Sequence, residues 1–239
     1  MPRTVLVTGG SSGLGRAVAE RFAAEGASVL ITGRRAEVVE RTAKELGVGA
    51  AVCDATDPVQ VAGLAARLPE LDVLVNAAGG LPESDGSGTP LEALLAQWRS
   101  SLAQNLLGAV LTTTALHDAL TAGGGGSVIS IGSIGAERRG GSYGAAKAAL
   151  AAWNATYSAE AGPLGVTSNV IAAGYVAGTE FFRGAMTEER HAALLAETHD
   201  KRAGTPADIA ETAYFLASAG ARHITGQTVH VNGGAFTTR

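Results

Sequence analysis

The sequence predicts a doubly wound α/β fold, a seven-stranded parallel sheet with helices on both faces. Two observations carry the prediction. Short β-rich runs alternate with longer, alanine-rich helical stretches along the whole chain. The runs themselves, such as "TVLVT" and "LDVLVN", are mostly apolar and do not alternate, as expected for strands covered on both sides. Strand–helix alternation of this kind argues parallel pairing through right-handed crossovers. At 239 residues the chain is long enough for one sizeable core, and the whole of 1–239 is expected to form a single domain.

Taken in order, the strands are expected at Thr4–Thr8, Ser28–Thr32, Ala50–Cys53, Asp72–Asn76, Ser127–Ile131, Thr167–Ile171 and Thr228–Val231. Each is a short run of β-branched and apolar residues. The helices between them are expected near 14–25, 36–46, 58–68, 91–121, 143–161, 187–198 and 206–217. "GGLPESDGSGTP" (79–90) is a long loop by composition, and "AGGGG" (122–126) is the turn from a long helix into the fifth strand. The region 174–205 interrupts the rhythm and is expected to form a lid.

Composition narrows the function. Net charge is −4, with no basic stripe, which leaves no electrostatic footprint for nucleic acid or a membrane surface. No apolar run is long enough to cross a bilayer. The first strand begins almost at the N-terminus, and the lone cysteine, Cys53, fits a reducing compartment, so a cytoplasmic protein is expected. The five histidines show no metal-ligand spacing, and no metal is expected.

Two short stretches carry chemistry. In "VLVTGGSSGLGRAVAERF" a strand runs through a glycine turn into a helix, with Gly9, Gly13 and Gly15 in the order T-G-x-x-x-G-x-G. Such a turn lets the backbone approach a pyrophosphate while the helix aims free N–H groups at it. In "SYGAAKAALAAW", Tyr143 and Lys147 stand one helical turn apart on one face. A phenol ordinarily has a pKa near about 10, and an adjacent ammonium favours its ionised form. Lys147 is therefore expected to lower the pKa of Tyr143 and make it a better acid–base catalyst.

The glycine spacing followed by Y-x-x-x-K resembles the short-chain dehydrogenase/reductase family. More pieces follow in family order over nearly the whole chain: "CDATD", "NAAG", "WRSSLAQN", "GSVISIGS", "GVTSNVIAAGYVAGTEFF" and "ITGQTVHVNGGA". The resemblance implies a Rossmann fold with Ser133, Tyr143, Lys147 and Asn105 as catalytic residues. Tyr143 would protonate a carbonyl oxygen as hydride arrives, Ser133 would hold that oxygen, Lys147 would bind the nicotinamide ribose, and Asn105 would position a water. It also implies cofactor contacts from Gly9, Ser11, Ser12, Gly13, Leu14 and Gly15. The others are Asp54, Ala55, Asn76, Ala77, Ala78, Gly79, Gly174, Val176 and Thr179, besides Tyr143 and Lys147. Three departures stand out. Ala77 replaces the second Asn of N-N-A-G, Ala173 replaces a Pro before the lid, and the Ser133–Tyr143 loop is short.

The second strand ends in "ITGRRAE". An NAD enzyme of this fold places an acid there for the ribose 2′-OH, but here Gly33 precedes Arg34 and Arg35, which suit a 2′-phosphate. NADP(H) is the expected cofactor, and Gly33→Asp is expected to reverse the preference. The chain is similar to bacterial 3-oxoacyl-acyl-carrier-protein reductases and to reductases of other ketones. Arg138 and Arg139 are candidates for meeting an acyl carrier protein, and Phe181, Phe182 and Met186 for an apolar substrate wall. Ala145, Ala148, Ala149 and Ala152 leave a smooth helix face, expected to pack in a homotetramer. The alternatives are a dehydrogenase of a sugar, steroid-like or xenobiotic substrate, or an NADP-binding regulatory protein without turnover. An epimerase or dehydratase is disfavoured by the glycine spacing and the chain length.

Overall fold

The computed structural model describes residues 2–82, 88–138, 140–182 and 184–238. Seven strands form one sheet: β1 (Thr4–Thr8), β2 (Ser28–Gly33), β3 (Gly49–Val52), β4 (Val73–Asn76), β5 (Ser127–Ser133), β6 (Thr167–Ala173) and β7 (Thr228–Val231). Their order is β3-β2-β1-β4-β5-β6-β7, and every pairing is parallel. The expected strands are all present, with ends moved by one or two residues.

Neighbouring strand residues point to opposite faces, and the two cores divide accordingly. Val5 and Val7 join Ile31, Val39, Phe22 and Ile209 on one face, under α1 (Gly13–Ala24), α2 (Ala36–Leu46) and α9 (Pro206–Leu216). Leu6 joins Leu74, Val128, Leu64, Leu120 and Tyr157 on the other, under α3 (Pro58–Ala65), α5 (Gly108–Ala115), α6 (His117–Ala122) and α7 (Gly141–Ala161). Large side chains such as Phe22 and Leu6 are wholly buried. Each contributes roughly 1.5–3 kcal/mol, which explains why apolar strands fix the fold so firmly.

The helix expected at 91–121 is broken. Thr89 and Glu92 form a capping box at the start of α4 (Pro90–Leu102), and a π-helical turn follows at Ala103–Leu107. There the Asn105 side chain donates to the Ser101 carbonyl at 3.1 Å, competing with the backbone N–H that would normally bond it. The turn widens, and Gly108 N–H bonds the Ala103 carbonyl, five residues back.

Between β6 and α9 lies the segment expected to form a lid. Its base is pinned: Val176 and Gly204 form an isolated bridge, with Ala177 N–H donating to Gly204 O at 2.9 Å and Gly204 N–H to Tyr175 O at 3.0 Å. Beyond the pin come a 3₁₀ turn at Glu180–Phe182 and α8 (Glu188–Glu197), which has no fully buried residue. Among the described residues no helix is long and apolar enough to cross a membrane, and no cluster is fit to hold a metal ion.

Candidate active site

Strand order reverses between β1 and β4, and a ligand crevice opens beyond their carboxyl ends in folds of this kind. Gly9, after β1, has φ +65°, and a Cβ there would lie 2.7 Å from Ala78 Cα. The loop after β4 is tied to the same place by Ala77 N–H donating to Thr8 O at 3.2 Å and Ala78 N–H to Thr8 Oγ1 at 3.3 Å. Behind them Asn76, buried, donates to Thr113 Oγ1 at 2.9 Å, joining β4 to α5. Gly15 packs so closely on the Gly9 carbonyl that no side chain fits. Gly13, at φ +51°, has nothing within 4 Å of where a Cβ would stand.

Ser12 makes no side-chain cap on α1, and the first N–H there to find a carbonyl is that of Arg16, on Ser12 O at 3.1 Å. The N–H groups of Gly13, Leu14 and Gly15 are thus left at the positive end of the helix. Beside them lies a cleft of about 560 Å³, whose wall includes Ser11, Ser12, Gly13 and Thr179 and a mixed set of charges, Arg16, Arg35 and Arg41 with Glu20, Glu45 and Glu180. An uncapped helix end reached through a glycine turn and opening onto this cleft fits a dinucleotide phosphate.

The glycine–arginine stretch divides on inspection. Arg35, the N-cap of α2, is on the cleft wall, whereas Arg34 is not among its lining residues. Arg16 and Arg41, which sequence reasoning missed, share Glu45 at 3.1 and 3.8 Å. They enter the cleft only because α1 packs beside α2. Gly33 has a packing reason of its own, since a Cβ there would lie 2.8 Å from Val39 Cγ2 and 3.1 Å from Ser11 Oγ. Gly33→Asp therefore disturbs packing as well as charge. Asp54, after β3, has Oδ1 accepting from Thr56 N–H at 2.9 Å and Thr56 Oγ1 at 2.8 Å, and Ala55 lies against Gly108 of α5.

Across the sheet, β5 delivers Ser133 and the first turn of α7 delivers Tyr143. The Ser133 hydroxyl stands close enough to the Tyr143 phenol to favour its ionised form, and Ser133 Oγ accepts from Gly135 N–H at 3.0 Å. Gly144 sits so tightly on the Gly135 carbonyl that any side chain would force α7 off this loop. That contact holds Ser133 and Tyr143 together, and sequence reasoning missed it. The signal was the run of glycines at 135, 140, 141 and 144 around the tyrosine.

One turn on, Lys147 is buried and its Nζ donates to Ile131 O at 2.7 Å. Asn105, at the π turn, accepts from Gly80 N–H at 3.0 Å and donates to Gly80 O at 2.9 Å. Gly79 threads between them; a Cβ on it would lie 2.7 Å from Asn105 Oδ1 and 3.4 Å from Lys147 Nζ. The glycine of "NAAG" thus lets one loop touch both side chains. Gly174 is packed on Asn232, Val176 is buried at the lid's base, and Thr179 Oγ1 donates to Val176 O at 3.3 Å.

The expected lowering of the Tyr143 pKa does not appear. Burial pushes the phenol up to about 12, and the Ser133 hydroxyl opposes this only in part. Burial also pushes Lys147 down to about 8. The reason is geometric: the ammonium is turned to the Ile131 carbonyl, and Nζ lies 5.8 Å from the centre of the Tyr143 ring. At neutral pH Tyr143 is a phenol, the form that donates a proton.

A family model described as enoyl-(acyl carrier protein) reductase matches residues 9–236. The 3-oxoacyl-[acyl-carrier-protein] reductase FabG of Escherichia coli (strain K12) is 33% identical over 243 residues, covering 98% of this chain and 97% of that protein. The chain belongs to the short-chain dehydrogenase/reductase family. Galactitol 2-dehydrogenase (L-tagatose-forming) of Cereibacter sphaeroides, another relative, is 34% identical over 239 residues, covering 95% of this chain and 92% of that one. The solved structure of a 7α-hydroxysteroid dehydrogenase, complexed with NADH and 7-oxo glycochenodeoxycholic acid, superposes with TM-score 0.87. It is 29% identical over 97% of this chain and 93% of that chain. The protein is an oxidoreductase of a family that uses nicotinamide cofactors. Within this short-chain dehydrogenase/reductase, Arg138 is already engaged by Glu197 of α8 at 2.6 Å. Arg139 lies outside the described residues.

Proposed function

We propose that the protein is an NADP(H)-dependent reductase that converts a ketone to a secondary alcohol. The observation that carries this reading is the Ser133–Tyr143 hydroxyl pair, with Tyr143 held as a phenol and Lys147 buried one turn behind it. When bound, the cofactor supplies the hydride. Tyr143 donates its proton to the carbonyl oxygen and Ser133 hydrogen-bonds that oxygen. Lys147, with a pKa brought down to about 8, sits within reach of neutral pH as a group that can pass a proton on. Asn105 holds the 80 loop against the Lys147 side of the site. The glycine turn, the uncapped end of α1 and Thr179 line the place for the pyrophosphate, and Arg35 on the cleft wall supports NADPH over NADH.

A 3-oxoacyl thioester is the substrate favoured by the likeness to FabG, with the reaction on a sugar-, steroid- or xenobiotic-type ketone as the second reading. Carrier-protein docking gains nothing from Arg138, whose charge is already paired. A homotetramer is supported by two exposed faces. On α4, Leu91, Leu94, Leu95 and Trp98 lie on one side and are exposed, Leu91 by 76%. On α7, Ala145, Ala148 and Ala152 are exposed beside it. The lone cysteine, Cys53, is in keeping with a cytoplasmic setting.

The test is oxidation of NADPH and of NADH against a ketone panel that includes acetoacetyl thioesters. Turnover with NADPH preferred is expected, and Tyr143→Phe should lower kcat at least about 10³-fold while NADPH binding is retained. Near wild-type turnover by that variant would overturn the site assignment.

A further inference from the structure

The chain has only five phenylalanines and four tyrosines. Two of each stand on one continuous line of edge-to-face rings that starts at the proposed proton donor. The Phe181 ring lies 5.5 Å from that of Tyr143, at 63°. Phe182 follows at 5.1 Å and 87°, then Tyr175 at 5.9 Å and 62°. The line ends on α8, where Tyr175 Oη and His191 Nδ1 are hydrogen-bonded at 2.7 Å. The Arg190 guanidinium covers Phe182 at 5.0 Å. Tilted ring pairs of this kind are directional contacts, worth more than their buried area. Since α8 buries no residue fully, its place depends on these few side chains.

Behind the line is a second cavity, of about 240 Å³, walled by Tyr175, Val176, Phe182, Met186 and the 177–179 backbone. No charged side chain among the described residues lines it. A cavity of roughly 150 Å³ holds a benzene ring, so this one has room for a ring and a short extension. The Tyr175 hydroxyl is engaged by His191 and that of Thr179 by the Val176 carbonyl, which leaves few free partners for a polyol.

We propose that Phe181 is the side chain that selects the substrate, and that His191, through Tyr175 and Phe182, is the positioning residue that sets it. The site then takes a ketone with a flat or extended apolar group beside the carbonyl, in preference to a small hydroxylated ketone. The proposal rests on the reading of Tyr143 as proton donor. A carbonyl brought to Tyr143 Oη must place one of its two substituents against the Phe181 ring, because that ring already packs on the phenol.

The experiment compares β-tetralone with hydroxyacetone on the full-length protein, with NADPH. Phe181→Ala should lower kcat/KM for β-tetralone roughly 10- to 100-fold, through KM, the loss expected when one phenyl group is no longer buried. Hydroxyacetone should change by no more than about twofold. Tyr175→Phe keeps the ring and removes the hydrogen bond to His191; it should shift discrimination the same way by about three- to tenfold. His191→Ala should match it, and the double variant should do no more than either. Equal losses on both ketones, or a fall in kcat alone, would overturn the proposal. Calorimetric binding of β-tetralone keeps the two readings apart. Binding that weakens in Phe181→Ala supports the wall even if the wild type reduces neither ketone, in which case only the assigned reaction fails. Binding indifferent to Phe181 overturns the wall whatever the turnover.

Discussion

Lys147 and Arg35 are the two positive charges proposed to serve one cofactor, and they stand in opposite surroundings. Lys147 is 5% exposed, and its single hydrogen bond is to a backbone carbonyl, with no acid paired to it among the described residues. Arg35 is exposed, and the arginines beside it share Glu45 in water. Burying an unpaired ammonium is costly, whereas an exposed guanidinium costs almost nothing. The Lys147 side of the proposed site is thus built against stability. The arginine end is nearly free in energy, so its residues can be set by the cofactor alone.

The sharpest way to break this contrast is Lys147→Met. Holding the ammonium with a pKa near about 8, where 10.5 is ordinary, costs roughly 3 kcal/mol at neutral pH. Losing the Ile131 hydrogen bond returns about 1 kcal/mol of that. Turnover should vanish while Tm rises by roughly 4–8 °C. The sign can be checked with pH. The unfolded chain binds the Lys147 proton more tightly than the folded one, so the cost falls away as pH rises from about 8 to 10.5. Wild-type stability should gain on Lys147→Met across that window. Tyr143 and Tyr157, both raised to about 12 by burial, act the other way in both proteins, removing stability between pH 10 and about 12. A lower Tm for Lys147→Met would show that Lys147 supports the fold.

At the arginine end the comparison is sharpened by Arg35→Ala. One charge-assisted contact to a 2′-phosphate is worth roughly 1.5–3 kcal/mol. The ratio of kcat/KM for NADPH over NADH should fall by about one to two orders of magnitude, with Tm unchanged. Arg34→Ala, off the cleft wall, should change it less. Gly33→Asp is a poorer probe, because its Cβ would press on Val39 before its charge met anything. An unchanged ratio in both arginine variants would make these residues surface charges.

The fold was legible because its strands are apolar on both faces, and their ends moved by no more than two residues. Tyr143 and Lys147 were legible as a spacing and Ser133 through the resemblance; Ser133 stands beside Tyr143, while Lys147 turns away to Ile131. What spacing cannot carry is contact between distant segments. "LAQNLLGAVL" reads as plain helix, and only the Gly80 backbone, brought up beside Asn105, shows why the helix widens there. Lys147 was expected to face the phenol, but the carbonyl it binds comes from β5, sixteen residues earlier in the chain. Arg16 and Arg41 look like ordinary helix charges until α1 and α2 are packed side by side. Gly33 read as a missing acid, and its closeness to Val39 is visible only in three dimensions.

The smallest expected effect lies at the rim of the buried end, where an exposed pair borders the catalytic site. Arg138 leaves the short loop after Ser133 and meets Glu197 at 2.6 Å, with both side chains about two-fifths exposed (38% and 41%). It joins the loop before Tyr143 to the last turn of the lid helix. A surface ion pair is worth roughly 0–1 kcal/mol, so Arg138→Glu should raise KM by no more than about fivefold. If the 174–205 region acts as a lid over every substrate, the rise should be equal for an acyl-carrier-protein thioester and for a small free ketone, and should shrink as salt is added. The reversed pair, Arg138→Glu with Glu197→Arg, should restore wild-type KM. A rise confined to the carrier-protein substrate, and not repaired by the reversed pair, would return Arg138 to the role of a docking charge. The contrast between the two ends would then extend from the cofactor to the protein that delivers the substrate.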